Sequence, residues 1–310
     1  MCTFSIIIPH KNIPNLLQRC LDSIPVRNDI QTIIVDDDSD PAIVDFEHFP
    51  GLERPNTEVY FDKTGRGAGR ARNVGLEHAK GEWLLFADAD DFFEENLSDI
   101  LVQYEDAIEE IIYFNVRCVM SDDITKISQR GEIRDKKFRG YFQTKNESFF
   151  RASCPTPWAR MTKKSLVDRL NAKFDETRYS NDYFFDVYTG INASKIKAVD
   201  IVLYVVTERP DSLAYNFCGT YEEWKVRFDV TCKVQDIVDK SRYNLYNDDI
   251  IAYMELLRKK HRKKYYRELF CLVTRPRYFK EMIRREIQYK RIEWALGQKL
   301  KKFLGMPTFF

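Results

Sequence analysis

Two carboxylates with one residue between them stand at the end of an apolar run. Asp88 and Asp90 flank Ala89 and follow Trp83–Ala87. In extended backbone, residues i and i+2 share a face with alpha carbons about 6.5 Å apart, so both carboxylates would face one ligand. Such oxygens suit Mg²⁺ or Mn²⁺, which would neutralise charge on a diphosphate leaving group. Alternatively, the acidic segment caps a helix near Phe92–Leu97.

Three further segments carry groups that recognise nucleotides or phosphates in other proteins. A carboxylate of the Asp36–Ser39 segment could accept a hydrogen bond from a base or ribose, although an Asx-type turn fits the segment equally well. The glycine-rich Gly65–Gly69 segment could present backbone N–H groups to phosphate, but it matches no complete phosphate-loop motif. Arg70 and Arg72 would open the next helix, where the dipole disfavours cations. Either an anionic ligand or ordinary surface arginines would account for them.

The segments around these residues alternate between the apolar runs of buried strands and the spacing of amphipathic helices. Buried strands are predicted at Phe4–Pro9, Thr32–Val35, Val59–Phe61 and Trp83–Ala87. One helix is predicted to follow Asn15 as its N-cap, and a second helix is predicted over Arg70–Ala79 with Gly81 closing it. This order predicts an α/β fold with a Rossmann-like, mostly parallel sheet flanked by helices. Ligands of such sheets bind beyond the carboxyl ends of the strands, where both acidic clusters fall.

The remainder of the chain is mixed and then helical. The patterns predict strands at Ile111–Val119 and Val199–Val206, helices at Lys163–Leu170 and Asp182–Ile191, and a hairpin or loop within 121–148. From Gly219 onward only helical patterns occur. We therefore predict a catalytic domain at 1–215 and a helical C-terminal extension at 216–310.

The charge of the chain is unevenly distributed. Residues 255–302 contain 17 Lys and Arg against 5 Asp and Glu, whereas the whole chain has a net charge of +1. An apolar stripe within 255–304, formed by Trp294, Leu296, Leu300, Phe303 and Leu304, would suit an anionic membrane surface. The alternative is a helical cap that packs on the catalytic domain with a solvated basic face. Nucleic-acid binding is not expected, because no motif for it accompanies the charge.

The cysteine content and the apolar segments indicate where in the cell the protein is expected. The seven cysteines form no CxxC pair, which favours reduced thiols. A signal-peptide pattern is not evident, and no apolar run approaches the roughly 20 residues that span a bilayer. We expect a cytoplasmic protein, peripheral on the inner face of the cell membrane.

Several short segments match a known family in both order and spacing. They are Ser5–Pro9 with Asn12, Ile34–Ser39, Ala71–Gly75, Ala79–Glu82 and Phe86–Asp91. Together they resemble the family 2 glycosyltransferases of the GT-A fold. A second block resembles the bacterial capsular and surface polysaccharide branch of that family, through Pro157-Trp158, Lys163–Leu166, Phe174, Asn181-Asp182, Leu203-Tyr204 and Arg209–Ser212. The resemblance covers roughly residues 3–215.

The resemblance implies a role for each matching residue. It places Pro9 and Asp37 at the nucleotide base, Arg72 at the diphosphate, Asp88 and Ala89 at the ribose or a metal-bound water, Asp90 on the metal, and Asp182 as general base. Arg209 and Ser212 are candidate diphosphate contacts, although a plain turn would also explain them. Two positions depart from the family: Lys11 replaces a frequent aromatic residue, and Asn181 replaces the usual Glu.

The implied reaction is an in-line displacement with inversion at the anomeric carbon, dependent on Mn²⁺ or Mg²⁺. The expected donor is a nucleotide-diphosphate sugar, a UDP-sugar first, and the acceptor is a hydroxyl of a glycan or lipid-linked saccharide. One alternative is a sugar nucleotidyltransferase, which usually has a glycine-rich basic loop where this chain has Pro9–Asn12. Another is a non-catalytic nucleotide-binding or membrane scaffold subunit with the same fold.

Overall fold

The structure is a computed structural model that describes residues 2–128, 132–154, 156–209, 220–243 and 248–303, without the side chains of 132–135, 137 and 292–303. The chain divides into two compact units. One comprises Met1–Gly219 with Asp229–Leu245, and the other comprises Thr220–Phe228 with Tyr246–Phe310. The domain boundary predicted near residue 216 falls outside the described ranges and stays a prediction.

A single eight-stranded sheet forms the centre of the first unit. Its strands are β1 (Phe4–His10), β2 (Ile30–Asp37), β3 (Thr57–Asp62), β4 (Trp83–Phe86), β5 (Phe92–Phe93), β6 (Ile111–Met120), β7 (Arg160–Lys163) and β8 (Ile196–Glu208). Their order across the sheet is β3-β2-β1-β4-β7-β6-β8-β5. The first four strands in this order are mutually parallel, and β7 joins them antiparallel to β4. The predicted mostly parallel α/β fold is confirmed.

Helices connect these strands and cover the sheet. They are α1 (Pro14–Asp22), α2 (Ala68–His78), α3 (Leu97–Tyr104), α4 (Glu132–Thr144), α5 (Ser148–Ala152), α6 (Lys164–Leu170) and α7 (Tyr183–Asn192). Strands β1, β2 and β4 are buried along their whole length, as their continuous apolar runs predict. One cluster of buried side chains contains Ile6 and Leu85, and another contains Ile7 and Phe86. Alternate residues of the same strands thus enter separate hydrophobic clusters.

Two predicted helix ends are wrong. Helix α1 begins at Pro14 after Ile13, and Asn15 is not its N-cap. Proline suits the first helical position because its missing N–H would have no partner there. Gly81 does not close α2, which ends at His78. A Cβ on Gly81 would lie 2.5 Å from the carbonyl carbon of Phe4, so the glycine allows close approach to β1.

The hairpin or loop predicted within 121–148 is present over residues 121–128, where Ile127 bridges antiparallel to Val119. Helix α4, which occupies Glu132–Thr144, was not predicted. Its sequence is polar, and the structure shows a narrow apolar contact. Phe138 is fully buried and packs edge-on against Phe150, and Tyr141 packs against the same ring. Residues three positions apart lie on the same face of a helix, so Phe138 and Tyr141 attach one face of α4 to Phe150.

The second unit is helical. Helices α9 (Asp248–Lys260), α10 (Arg262–Cys271) and α11 (Pro276–Phe303) belong to it, with a 3-10 turn at Leu272–Thr274. Helix α8 (Tyr221–Asp239) contributes its first residues to this unit and the remainder to the first. The helical character expected from residue 219 onward is confirmed for the described residues. Among these helices, none combines the length and the apolarity required to cross a membrane.

Candidate active site

The turn after β4 fixes the two central carboxylates. Asp88 donates its backbone N–H to the Tyr204 hydroxyl at 2.8 Å, and Asp91 donates its N–H to the Asp88 carbonyl at 3.0 Å. Ala89 is buried in the hydrophobic core. The side chains of Asp88 and Asp90 remain 32% and 21% exposed. Both carboxylates are therefore accessible while the residue between them anchors the turn.

Arg72 connects this turn to the beginning of α7. Its Nη2 donates to Asp88 Oδ1 at 2.5 Å, and its Nη1 donates to the Asn181 side-chain carbonyl at 2.7 Å. The guanidinium also lies over the ring of Phe174. A buried arginine with these fixed partners has little freedom to turn. Asn181, at the position where the resembling family usually has Glu, thus accepts this hydrogen bond through a neutral amide.

Asp90 is held by its backbone and by one carboxylate oxygen. Arg209 Nε donates to Asp90 Oδ2 at 3.0 Å. The Asp90 carbonyl accepts from Arg19 Nη2 at 2.6 Å and from the Thr207 hydroxyl at 2.7 Å. Arg209 therefore lies at the acidic turn. Ser212, its predicted companion, lies outside the described residues.

Asp91 is a buried neighbour of this pair. Burial raises its pKa well above the usual value, and the charges of Asp90 and Asp88 raise it further. The backbone N–H of Thr207 donates to Asp91 Oδ1 at 2.7 Å and opposes the shift in pKa. The Asp91 carboxylate therefore faces β8 rather than solvent and connects the turn to that strand. The acidic segment does not cap α3, whose N-cap is Asn96.

Asp37 ends β2 beside the glycine-rich segment. Its Oδ1 accepts the backbone N–H of Gly67 at 2.9 Å. Lys11 Nζ donates to the Asp37 carbonyl at 2.7 Å and lies 3.4 Å from Oδ2. The Lys11 side chain is 48% exposed and the Asp37 side chain is 5% exposed, so the ammonium is accessible and the carboxylate beside it is mostly covered. Pro9, also predicted here, is buried in β1.

The neighbouring Asp36 is structural. His10 Nδ1 donates to Asp36 Oδ1 at 2.8 Å, because His10 Nε2 accepts the N–H of Ile13 at 3.1 Å. Ser39 adds hydrogen bonds through its N–H and hydroxyl. Burial raises the pKa of Asp36, but these hydrogen bonds outweigh burial and lower it. This network of hydrogen bonds connects the carboxyl ends of β1 and β2 next to Asp37.

Asp182 occupies the N-cap position of α7 and is partly buried. Burial raises its pKa; the charge of Arg72 opposes this shift and the charge of Asp88 adds to it. The helix is anchored one turn later, where Arg160 of β7 lies 2.8 Å from Asp186 Oδ1 and both side chains are fully buried. This ion pair positions the beginning of α7, and with it Asp182.

The arginines predicted beside the glycine-rich segment divide into two groups. Arg72 is buried in the site, whereas Arg70 lies 3.2 Å from Asp62 and Arg66 lies 2.7 Å from Glu176. Of the two alternatives for Arg70, the ion pair with Asp62 favours an ordinary surface arginine. Asn73 contributes packing: its side-chain amide exchanges hydrogen bonds with the backbone of Phe174.

The carboxylate pair offers oxygen ligands of the type that a hard divalent cation prefers. One oxygen of Asp88 and one of Asp90 are engaged by arginines, and each residue has a second carboxylate oxygen. Across the described residues, no group of three or more His, Cys, Asp or Glu is arranged to hold a metal. A cation at this turn would thus take its remaining ligands from water or phosphate, as Mg²⁺ commonly does.

Several residues of the site carry no local signal in the sequence. Arg19, Arg160 and Thr207 reach the site from α1, β7 and β8, many positions away from their partners. Tyr204 belongs to a segment that resembles the family, but its contact with Asp88 is not apparent from the sequence.

Comparison with known proteins identifies the family of the chain. The model of "Glycosyl transferase family 2" matches residues 5–170. The chain is 24% identical over 229 residues to the "Uncharacterized glycosyltransferase EpsJ" of Bacillus subtilis, which covers 67% of this chain and 62% of that protein. The chain belongs to glycosyl transferase family 2.

Solved structures share the fold. S. aureus TarS 1-349, crystallised with UDP-GlcNAc, superimposes with a TM-score of 0.60 at 19% identity over 82% of this chain and 70% of that one. The mannosyltransferase PcManGT from Pyrobaculum calidifontis, in complex with GDP-Man and Mn²⁺, gives a TM-score of 0.52 at 16% identity over 87% and 75%. The predicted GT-A fold is confirmed.

Proposed function

We propose that the protein is a metal-dependent, inverting glycosyltransferase that moves a sugar from a nucleotide-diphosphate donor, a UDP-sugar first, to a hydroxyl of a glycan or lipid-linked acceptor in bacterial surface polysaccharide synthesis. The observation that carries this proposal is the bridge from Asp88 through Arg72 to Asn181, next to Asp182. It connects the acidic turn after β4 with the candidate base at the start of α7. Family membership and the TarS complex support the donor class.

The donor would lie across the carboxyl ends of β1, β2 and β4. Asp37, beside Pro9, would accept from the base, and Asp88 and Ala89 would contact the ribose side. Arg72 and Arg209 would face the diphosphate, with Ser212 as a further candidate. The two arginines already pair with carboxylates in the site, so they are positioned without further ordering.

The divalent cation would be held by Asp90 with Asp88, and Mn²⁺ or Mg²⁺ fits these oxygen ligands. Bound there, it would supply positive charge beside the diphosphate leaving group. The Mn²⁺ complex of PcManGT supports a metal requirement.

Asp182 would take the proton of the acceptor hydroxyl. An ionised carboxylate with a raised pKa is a stronger base than an ordinary aspartate, and Arg72 keeps the ionised form accessible. Direct attack by the deprotonated hydroxyl inverts the anomeric centre.

The second unit would attach the enzyme to an anionic membrane surface through residues 255–304, peripheral on the cytoplasmic face. The supporting observation is the run of exposed cations along α9 to α11. The predicted stripe of Trp294, Leu296, Leu300 and Phe303 falls on side chains that the structure does not describe, and Leu304 lies outside the described residues.

The products of turnover test the proposed reaction. Incubation with UDP-, GDP- and CDP-sugars and Mn²⁺ should release the nucleoside diphosphate, and proton NMR of the glycoside should show inversion. Release of pyrophosphate would instead indicate a sugar nucleotidyltransferase. Donor binding without turnover in the presence of acceptor mixtures would favour the non-catalytic scaffold.

We expect the Lys11 and Asp37 pair to select the base. Uracil presents an N–H beside carbonyl oxygens, and guanine presents an N–H beside one carbonyl. Either base could therefore donate its N–H to Asp37 and accept a hydrogen bond from Lys11 at the carbonyl. Cytosine and adenine present a ring-nitrogen acceptor at this edge, so UDP and GDP should bind more tightly than CDP and ADP. Lys11→Met should weaken the preferred nucleotide about tenfold, because a charged hydrogen bond is lost.

Calorimetric titration of the four nucleoside diphosphates measures this preference. Lys80→Met is the matched control, since Lys80 pairs with Glu58 near the opposite end of the strands. Equal affinity for all four bases, or an unchanged preference in Lys11→Met, would exclude a role for Lys11.

The raised pKa of Asp182 predicts a pH dependence. A base works only when ionised, so kcat/KM should fall as pH decreases through a pKa above the usual aspartate value of about 3.9. Arg72 lowers the pKa of Asp182, and its charge is lost in Arg72→Gln, so the acid limb should move to higher pH in that variant. Movement to lower pH would show that Asp182 is not the titrating base.

A further inference from the structure

A basic groove lies between α9 and α11 of the second unit. It has a volume of about 490 Å³ and is lined by Glu255, Arg258 and Lys259 of α9 and by Arg284, Arg285 and Tyr289 of α11. All of these residues belong to the same compact unit. Four cations and one carboxylate therefore face a single concavity, which favours an anionic ligand.

Carboxylates around the groove hold its arginines in place. Glu255 Oε2 lies 2.7 Å from Arg258 Nη2. Glu281 accepts from Arg284 Nε at 3.0 Å and from Arg285 Nε at 2.7 Å. With Glu281 and with Glu286, whose charge acts on Arg258, four cations stand against three carboxylates. The guanidinium groups are thus held in place, and one net positive charge remains.

Arg258 also has an unused donor. Its Nη1 is buried and has no hydrogen-bond partner among the described residues. The ring of Tyr289 lies over the guanidinium, 3.9 Å from Arg258 Cζ. A buried N–H without an acceptor is rare in folded proteins. A phosphate oxygen that entered the groove beside Tyr289 would provide this acceptor.

An exposed apolar side chain stands beside the groove. Ile287 is 50% exposed and lies three residues after Arg284, so the two are neighbours on the surface of α11. Tyr289 is 37% exposed. Basic residues beside exposed apolar and aromatic side chains are typical of helices that lie in a membrane interface.

We propose that this groove binds the phosphate of an anionic lipid headgroup, with Ile287 entering the interface beside it. The site rests on the proposed attachment of the second unit to an anionic surface, and not on sugar transfer. Lys259, Arg284 and Arg285 supply the charge that faces the headgroup, and Arg258 donates to the phosphate from the base of the groove.

Co-sedimentation of the full chain with lipid vesicles tests the proposal. The protein should bind vesicles that contain phosphatidylglycerol and should not bind vesicles of phosphatidylcholine alone. A Lys259→Gln/Arg284→Gln/Arg285→Gln variant should bind at least about tenfold more weakly, since each cation at an anionic surface contributes. Helix content by circular dichroism should stay unchanged, because glutamine is a good helix former.

The matched control is Lys260→Gln/Lys263→Gln/Lys280→Gln, which removes the same charge from exposed positions that do not line the groove. The control should keep vesicle binding within about twofold, because a groove site depends on position as well as charge. Equal losses in the two variants would overturn the proposal. So would binding of inorganic phosphate or pyrophosphate by calorimetry without any binding to anionic vesicles. Nucleotide binding by the same preparations reports separately on the transferase site.

Discussion

Asp182→Asn should lower kcat by about 10²–10⁴-fold while the affinity for the donor nucleotide stays within a few-fold of the wild-type value. The substitution keeps the shape of the side chain and removes only its capacity to take a proton. Donor affinity should persist because Asp37, Arg72 and Asp88 remain in place. Steady-state kinetics and calorimetric titration of the nucleotide measure the two effects.

The pKa of Asp182 supplies an internal check on this variant. The pKa of Asp182 is raised in the folded state, so ionised Asp182 lowers the free energy of unfolding at pH values above the usual aspartate pKa. This loss of stability disappears as the pH falls and Asp182 becomes protonated. Asp182→Asn should therefore unfold at a temperature no lower than that of the wild type at neutral pH. Asp168→Asn is the control, because Asp168 is 59% exposed and pairs with Lys164. A kcat for Asp182→Asn near that of the control would exclude Asp182 as the base.

Arg160→Met should destabilise the first unit by about 3–5 kcal/mol, because it removes the arginine that pairs with the fully buried Asp186 carboxylate. For a protein of this size, we expect the midpoint of thermal unfolding to fall by roughly 10 °C. The beginning of α7 should loosen as well, so kcat should decrease together with stability. Differential scanning calorimetry measures the first effect.

Two further variants separate charge from packing. Arg160→Met/Asp186→Leu removes both charges and should recover much of the lost stability, since no unpaired ion remains. Arg169→Met breaks a surface ion pair in which Arg169 is 50% exposed, and it should cost under about 1 kcal/mol. A loss of stability in Arg160→Met no greater than that in Arg169→Met would show that the buried pair does not anchor α7.

The strands that position the acidic clusters were predictable because their pattern is local. Continuous apolar runs mark β1, β2 and β4, and Asp37 and Asp88 follow at their carboxyl ends. The rule that ligands bind at this edge of a parallel sheet does not require knowledge of the rest of the chain. The order of the motifs then indicates the family.

The partners of these residues were not predictable, because they come from distant parts of the chain. Arg19 of α1 reaches the backbone of Asp90, 71 positions away, and Tyr204 of β8 receives the N–H of Asp88 across 116 positions. No spacing rule connects such pairs. The sequence identified Lys11 only as a departure from the family. The structure shows that its ammonium donates a hydrogen bond to the Asp37 carbonyl.

The most direct test of the donor site is calorimetric titration of UDP and GDP, with and without Mn²⁺, on the wild type and on Asp90→Asn. We predict that one nucleotide binds more tightly when Mn²⁺ is present and that this enhancement disappears in Asp90→Asn, which retains the fold. Absence of binding by either nucleotide to folded wild-type protein, or an equal response to Mn²⁺ in the variant, would contradict a metal-dependent nucleotide-sugar site at Asp88 and Asp90.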